Sequence, residues 1–455
     1  MAKLKLNIPV KKGDRLQLDV ETLASSGDGL CRHEGYTLFT PGGLPGDRVE
    51  GNVSKTTPRF GVVNVFKKVR LSKNRVDPPC PVFSKCGGCK FQDLNYEKQL
   101  QFKIQVVKDN LKRIAHIEAP DNIQIIPADS RYQYRNKGSF ALQRKGGKPL
   151  IGFYAEGSHN IVDSPNCDIL LPIINETKEW IRELLEKHEI SIYNERHCRG
   201  LLRGLIIRHS SSTGETLVGL VTHKGRFPRG FLAELTQEYS LKKRGIVGLL
   251  QNVNLQNTNV ILGPENRLLW GKDRFAENLG GLIFNLSLGS FFQVHSKQAE
   301  KLYNLIYQWT QNSKNQTLID AYSGSGGIAL WLAKRGKNVI GIDYSRNAID
   351  LAKEKYNLTN LNYYVDDNID EYGNFDIIVS CGTLEHVDSP KKTLRSFIKK
   401  INPGGSIVLT CPYFINIKGF VWMTLALALD IRMSLTDKYF ISPFDFVEWL
   451  DGTGF

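Results

Sequence analysis

The apolar positions change period twice along the chain, and the changes mark three regions. Up to about residue 68, KLKLNI, DRLQLDVETL, YTLFT, DRVEGNV and GVVNVFKKV are short runs of apolar and polar residues punctuated by Gly, Pro and Asp. This rhythm predicts a small β-barrel. From about 69 to 285 the periods mix: LNYEKQLQFKIQVVKDNLKRI has apolar residues at helical spacing, while YRNKGSFALQ, PLIGFYA, LRGLIIRHS and ETLVGLVT read as strands. From about 286 the order becomes that of an open α/β sheet, since QTLIDAYSGSGGIALWLAKRG is strand, glycine-rich turn and helix, followed by the strand KNVIGID and a helix from about Ser345. The greasy run 419–431 is too short for a confident membrane helix and reads as a buried or lid helix. No stable membrane partner is expected.

Composition sharpens this picture. The chain has 455 residues, 41% of them hydrophobic, which is enough for about three cored domains. Eight cysteines are too sparse for a secreted disulfide scaffold, and no hydrophobic signal segment opens the sequence, so the cytoplasm is the expected compartment. A formal charge of +14 favours an anionic polymer as partner. Near the end of the first region Lys55, Arg59, Lys67, Lys68, Arg70, Lys73 and Arg75 gather positive charge, with Phe60 and Phe66 as stacking groups. Together they suggest an RNA-facing surface; a solubilising rim over a small aromatic core is the plainer alternative.

Two motifs carry chemistry. Cys80, Cys86 and Cys89 lie at short spacings with Gly87 and Gly88 between the last two, and folding could bring in Cys167 from SPNCDIL. Four thiolates suit an iron–sulfur cluster or zinc. Cys31 and Cys198 have no such neighbours and read as ordinary core or surface residues. In the last region Gly324, Gly326 and Gly327 allow a close approach of backbone to a bound nucleoside, and Asp343 closes the second strand, where a carboxylate can accept ribose hydroxyls. On these features alone the turn could serve a dinucleotide as well.

The string Tyr322-Ser323-Gly324-Ser325-Gly326 followed by Asp343 resembles the S-adenosylmethionine site of class I methyltransferases, and FDIIVSCGTLEHV and NPGGSIVLTCP extend the likeness. Together with CPVFSKCGGC, GFYAEGSHNIVDSPNC, LRGLIIRHSSSTGE and SLGSFFQVHSKQAEKLY, the chain resembles the TrmA/RumA-like family of RNA uracil-5-methyltransferases from its start to about Leu351. The resemblance implies a multidomain protein: an N-terminal TRAM-like β-barrel (1–68), a mixed α+β central domain for RNA and an iron–sulfur centre (69–285), and a C-terminal class I S-adenosylmethionine-dependent methyltransferase α/β fold (286–455). It implies a [4Fe-4S] cluster on Cys80, Cys86, Cys89 and Cys167. Gln293, Tyr322, Gly324, Gly326, Asp343 and Asp366 become cofactor or substrate contacts, and Cys411 the nucleophile that adds to uracil. Structured RNA, 23S ribosomal RNA in particular, becomes the partner and 5-methyluridine the product.

The tail departs from the family. Gly327 stands where an asparagine often follows the turn, TCP replaces a VSCNP-like segment, and SCGTLEHVDSP replaces a DPPR-like one. The family's C-terminal glutamate motif is not recognisable, and the text stops at TGF before the last strands of a complete class I sheet, which points to a truncation or a fusion. Two other readings follow from these departures. One is a non-enzymatic RNA-binding or assembly module; the other is a small-molecule methyltransferase in which Glu385 and His386 carry protons.

Overall fold

The computed structural model describes residues 8–113, 118–195, 197–256, 261–311, 316–355, 358–384, 386–410 and 449–450. The chain divides into two compact units, the first made of residues 1–113, 117–127 and 140–168 and the second of 114–116, 128–139 and 169–455.

The first unit opens with six strands: β1 (Arg15–Asp19), β2 (Thr22–Leu23), β3 (Gly29–His33), β4 (Tyr36–Thr40), β5 (Arg48–Thr56) and β6 (Phe60–Arg70). They form one sheet in the order β1-β5-β6-β4-β3-β2, antiparallel except for the β4–β6 pair. Period-two alternation sends Leu18, Cys31, Leu38, Val49, Val53 and Val63 into a shared core. Burial there pushes the Cys31 thiol up to about 11, so it stays a neutral hydrophobe, as its isolated position in the sequence suggested. The strand β3 was not among the sequence-based expectations, because GLCRH is short and ends in two polar residues.

Beyond the barrel lie the helix α1 (Tyr96–Arg113), the hairpin formed by β7 (Lys137–Lys145) and β8 (Lys148–Tyr154), and β9 (Ile161–Asp163). Leu23 and Leu44 of the barrel segment meet Leu94, with Phe91 and Phe102 packed alongside. An ionic knot fixes this join. Asp47, whose side chain is fully buried, accepts the backbone N–H of Leu44 at 2.8 Å and of Ser72 at 2.7 Å and pairs with Arg75, which also reaches Asp93. Arg75 is therefore structural and drops out of the expected basic surface. Phe60 likewise packs edge-on against Phe39 at 5.4 Å, while Phe66 is 52% exposed under the Arg15 guanidinium.

In the second unit, α2 (Pro172–Lys187) lies against β10 (Leu202–His209). Next come β11 (Thr216–Thr222), the short helices α3 (Arg229–Leu235) and α4 (Glu238–Lys243), β12 (Ile246–Val253) and β13 (Glu265–Gly271). These four strands run in the order β13-β12-β11-β10, with α3 and α4 making the crossover between the parallel neighbours β11 and β12. A hairpin of β14 (Arg274–Leu279) and β15 (Leu282–Ser287) leads to α5 (Ser296–Trp309).

The remaining elements alternate strand and helix: β16 (Thr317–Ala321), α6 (Gly327–Ala333), β17 (Asn338–Asp343), α7 (Arg346–Lys355), β18 (Leu361–Val365), β19 (Phe375–Cys381), α8 (Pro390–Lys400) and β20 (Ile401–Thr410). Their described strands form a parallel sheet in the order β18-β17-β16-β19-β20. Trp331, Leu330 and Ile349 cover one face together with Phe275, Leu282 and Phe284 of the hairpin, and Leu394 and Phe397 of α8 cover the other. The run 419–431, expected to be a buried or lid helix, lies outside the described residues, and among these no helix is long and apolar enough to cross a membrane.

Burial alone would raise the Asp47 carboxyl, but the Arg75 guanidinium and the Leu44 and Ser72 amides outweigh it and hold the group below its ordinary 3.8. Its stabilising contribution is complete above that ordinary value and is lost as pH falls through the lowered one. Asp47→Ala, which leaves Arg75 with one carboxylate and two amides without an acceptor, is expected to cost about 3–5 kcal/mol. Denaturant melts of the full chain check this; the gap between parent and variant should narrow on acidification below about pH 4.

Candidate functional site

An open parallel sheet binds ligands beyond the carboxyl ends of its strands, where neighbouring strands send their crossovers to opposite sides. Here that point lies between β16 and β19. β16 ends at Ala321, and Tyr322 follows with φ +65°, a left-handed conformation that a non-glycine residue adopts only under constraint. Ser323 N–H donates to the Ile342 carbonyl of β17 at 2.8 Å, and Gly326 N–H closes the turn on the Ser323 carbonyl at 2.9 Å. The glycine turn then enters α6.

Two glycines here are dictated by space and a third by its backbone conformation. Gly326 has φ +77°, and a Cβ there would stand 2.2 Å from the Tyr363 hydroxyl. That hydroxyl donates to the Gly326 carbonyl at 2.9 Å, so Tyr363 of β18 props the turn from below. Gly341 of β17 makes room for the Tyr363 ring, whereas Gly324 is set by its φ of +55°, a Cβ there meeting nothing within 4 Å.

Carboxylates line the same edge. Asp343 at the end of β17 accepts the Gly324 N–H at 2.9 Å through Oδ2 and the Ser345 N–H at 2.9 Å through Oδ1. Each oxygen keeps a lone pair for a ribose hydroxyl. Asp366, just past β18, donates its N–H to the Asp343 carbonyl at 3.0 Å and accepts the Tyr372 hydroxyl at 3.0 Å. The Tyr322 hydroxyl donates to the Asp367 carbonyl at 3.4 Å. Inside the sheet Asp320 accepts the Ala329 N–H at 2.9 Å and so fixes the start of α6; burial pushes its carboxyl up to about 7. The structure thus brings Tyr322, Gly324, Gly326, Asp343 and Asp366 to one edge. It adds Asp320 and Tyr363, which the sequence reading missed. Asp320 was legible as an acid inside the apolar strand TLIDA, whereas nothing local marks Tyr363.

Gln293 is placed by a different set of contacts. Its carbonyl accepts from Asn136 Nδ2 at 3.1 Å, which also reaches Ser296 Oγ, and Asn136 N–H donates to Val294 at 2.9 Å. The Tyr134 ring stacks on His295 at 4.5 Å. Upstream, the buried Arg208 donates to the carbonyls of Ser287 and Ser290. The backbone on either side of Phe291 is pinned in this way, leaving the Phe291 side chain 81% exposed and Gln293 exposed.

Cys411 and Glu385 lie outside the described residues. The strand leading to Cys411 ends at Thr410, whose carbonyl accepts the Gly382 N–H at 2.8 Å on the carboxyl edge, close to the end of β19 and Cys381.

The four clustered cysteines all fall in the first unit. None is in a disulfide; Cys80 and Cys167 are buried, and Cys86 and Cys89 are half-buried. The cysteine turn is tied to the end of β8 by the Gly87 N–H bond to the Tyr154 carbonyl at 2.9 Å. Burial raises the Cys80 thiol, with Asp168, Cys86 and Cys89 adding to the effect, so these groups share one neighbourhood. Among the described residues no three His, Cys, Asp or Glu side chains stand close enough together to hold a metal ion. The donor chemistry suits a thiolate-ligated centre, but the ligating geometry is not formed; neutral thiols have no attraction of their own that would draw them to that distance.

A family model described as a TRAM domain matches residues 9–62, and one described as a methyltransferase domain matches residues 294–455. An uncharacterized RNA methyltransferase of Clostridium tetani is 33% identical over 422 residues, covering 90% of each chain. Another, from Halalkalibacterium halodurans, is 36% identical over 371 residues, covering 80% of each. Among solved structures, the tRNA (uracil-54, C5)-methyltransferase of Pyrococcus abyssi in complex with S-adenosyl-L-homocysteine aligns with a TM-score of 0.66 and 26% identity, over 85% of this chain and 87% of that one.

Asp343→Ala removes the acceptor for the Gly324 and Ser345 amides together with the lone pairs that remain on the same oxygens. It is expected to weaken S-adenosylmethionine binding by roughly 10- to 100-fold, the loss of one or two hydrogen bonds to a charged group. Titration calorimetry reads this directly, and an unchanged affinity would move the cofactor away from this edge.

Proposed function

Since the chain belongs to the TrmA/RumA-like family of RNA methyltransferases, we propose that it methylates C5 of uridine in a structured RNA, 23S ribosomal RNA in particular, leaving 5-methyluridine. The observation that carries the choice of uracil C5 is the likeness, over most of both chains, to a solved enzyme whose name states that chemistry. That neighbour acts on tRNA, which makes tRNA the second substrate to test. We take 1–68, 69–285 and 286–455 as the working segments of a cytoplasmic enzyme.

The glycine turn with Tyr322, Asp343 and Asp366 is the cradle for S-adenosylmethionine, which when bound supplies an electrophilic methyl group on a sulfonium centre. Uracil C5 is too weak a nucleophile to take that group unaided. In the proposed reaction the Cys411 thiolate adds to C6, and the displaced π electrons make C5 the nucleophilic end of an enolate. After C5 gains the methyl group, a base removes the C5 proton; the electrons of that bond re-form the C5–C6 double bond and expel the thiolate. Gln293, held by its backbone, is assigned to contact the base or the cofactor.

The four thiols Cys80, Cys86, Cys89 and Cys167 are proposed to take a [4Fe-4S] cluster that orders the RNA-binding region. The methyl transfer is polar and needs no electron from it. Anaerobic purification is expected to yield iron and acid-labile sulfide in cluster stoichiometry, and stoichiometric zinc without sulfide would falsify the assignment.

Cys411→Ser should separate binding from chemistry, because a serine hydroxyl ionises far less readily than a thiol near neutral pH. The variant is expected to keep cofactor affinity and lose both 5-methyluridine formation and the covalent adduct with 5-fluorouridine RNA. A variant that still traps the adduct excludes Cys411 as nucleophile.

A further inference from the structure

The basic residues of the barrel are not the only exposed cations grouped on this chain. In the second unit the loops 191–200 and 223–229 lie side by side: His223 N–H donates to the Leu201 carbonyl at 2.8 Å, and the Tyr193 and His223 rings approach to 4.8 Å. Gly200, with φ +114°, lets the first loop fold back so tightly that a Cβ would stand 2.3 Å from the Ile192 carbonyl oxygen. Arg203 lies 4.8 Å over the Tyr193 ring and donates to the carbonyls of Asn254 and Gln256, so it serves as a brace. On this braced frame His197, Arg199, Lys224 and Arg226 are exposed. Among the described residues Arg199, Lys224 and Arg226 make no ion pair, and Glu195 is the one acidic residue in the two loops.

We propose that these two loops form a second RNA-binding surface, in which Arg199, Lys224 and Arg226 grip the phosphodiester backbone. The proposal rests on the RNA reading above and deepens it: within the segment 69–285 expected to bind RNA it names the phosphate-holding cations, which belong to neither the barrel nor the cofactor edge. Cations without acidic partners gain most from phosphates, whose condensed counterions are released on contact. A membrane-surface site or the core of a protein interface would set exposed apolar side chains beside the charges. Among the described residues these loops expose no large apolar side chain, and Phe227 is buried. Contacts of this kind position the nucleic acid without reading its sequence. The surface belongs to the same compact unit as the cofactor edge, so it would orient RNA for the reacting base independently of the barrel.

The test uses the full chain carrying Arg199→Gln, Lys224→Gln and Arg226→Gln together, with binding to an in vitro transcribed 23S ribosomal RNA fragment measured from about 50 to 200 mM salt. Each lost phosphate contact removes about 0.7–0.9 from the slope of log affinity against log salt, so the slope should become shallower by roughly 2–3. S-adenosylmethionine affinity, measured in parallel, should stay at the parent value and so report an intact fold. The charge-keeping variant Arg199→Lys, Lys224→Arg, Arg226→Lys should retain the parent slope. An unchanged slope in the glutamine variant overturns the proposal while leaving the RNA reading intact; a parent chain that binds no RNA overturns both.

Discussion

The site depends on one backbone constraint, the reversal of crossover direction at β16. A strand in a parallel sheet hands the chain to a helix on one face or the other. Where the choice switches, the two connections part and leave a crevice that side chains do not fill. The order β18-β17-β16-β19-β20 puts that crevice at the centre of the sheet. The elements around it only have to keep it open. Asp320 holds the start of α6, Tyr363 holds the glycine turn, and Asp343 ties that turn to the segment after β17 with its two oxygens. An affinity for adenosyl groups is a consequence of topology first and of residue identity second.

Much of this architecture was legible in the sequence, because each region repeats one period over several elements. The runs YTLFT, ETLVGLVT and KNVIGID fell on β4, β11 and β17, and the helical spacing of 94–114 fell on α1. The grouping of the chain into compact units was less legible. Contacts join the cysteine segment and the β7–β8 hairpin to the barrel, and 169–285 to the methyltransferase sheet. Hydrophobic period says which face of an element is buried; it does not say against what.

The candidate site divides in the same way. Glycines at positive φ and a carboxylate at a strand end follow from local rules, so Gly324, Gly326 and Asp343 could be named from spacing. Arg75 and Phe60 could not be separated from the other basic and aromatic residues near the barrel's end. Whether a charge faces water or an Asp47 depends on residues 28 positions away. Tyr363 and Asn136 escaped for the same reason, since each acts on a segment that the fold, and not the sequence, places beside it.

The Asn136 bond to the Gln293 carbonyl spans 157 residues of chain, and this separation has a meaning in time. At a synthesis rate of about 5–20 residues per second, Asn136 is made roughly 8–30 s before its partner. Until then a polar amide destined for burial has only water for company, and its segment cannot settle. The backbone that presents Gln293 is therefore among the last parts of the protein to acquire its shape. A nascent chain would carry a finished barrel well before it could present Gln293.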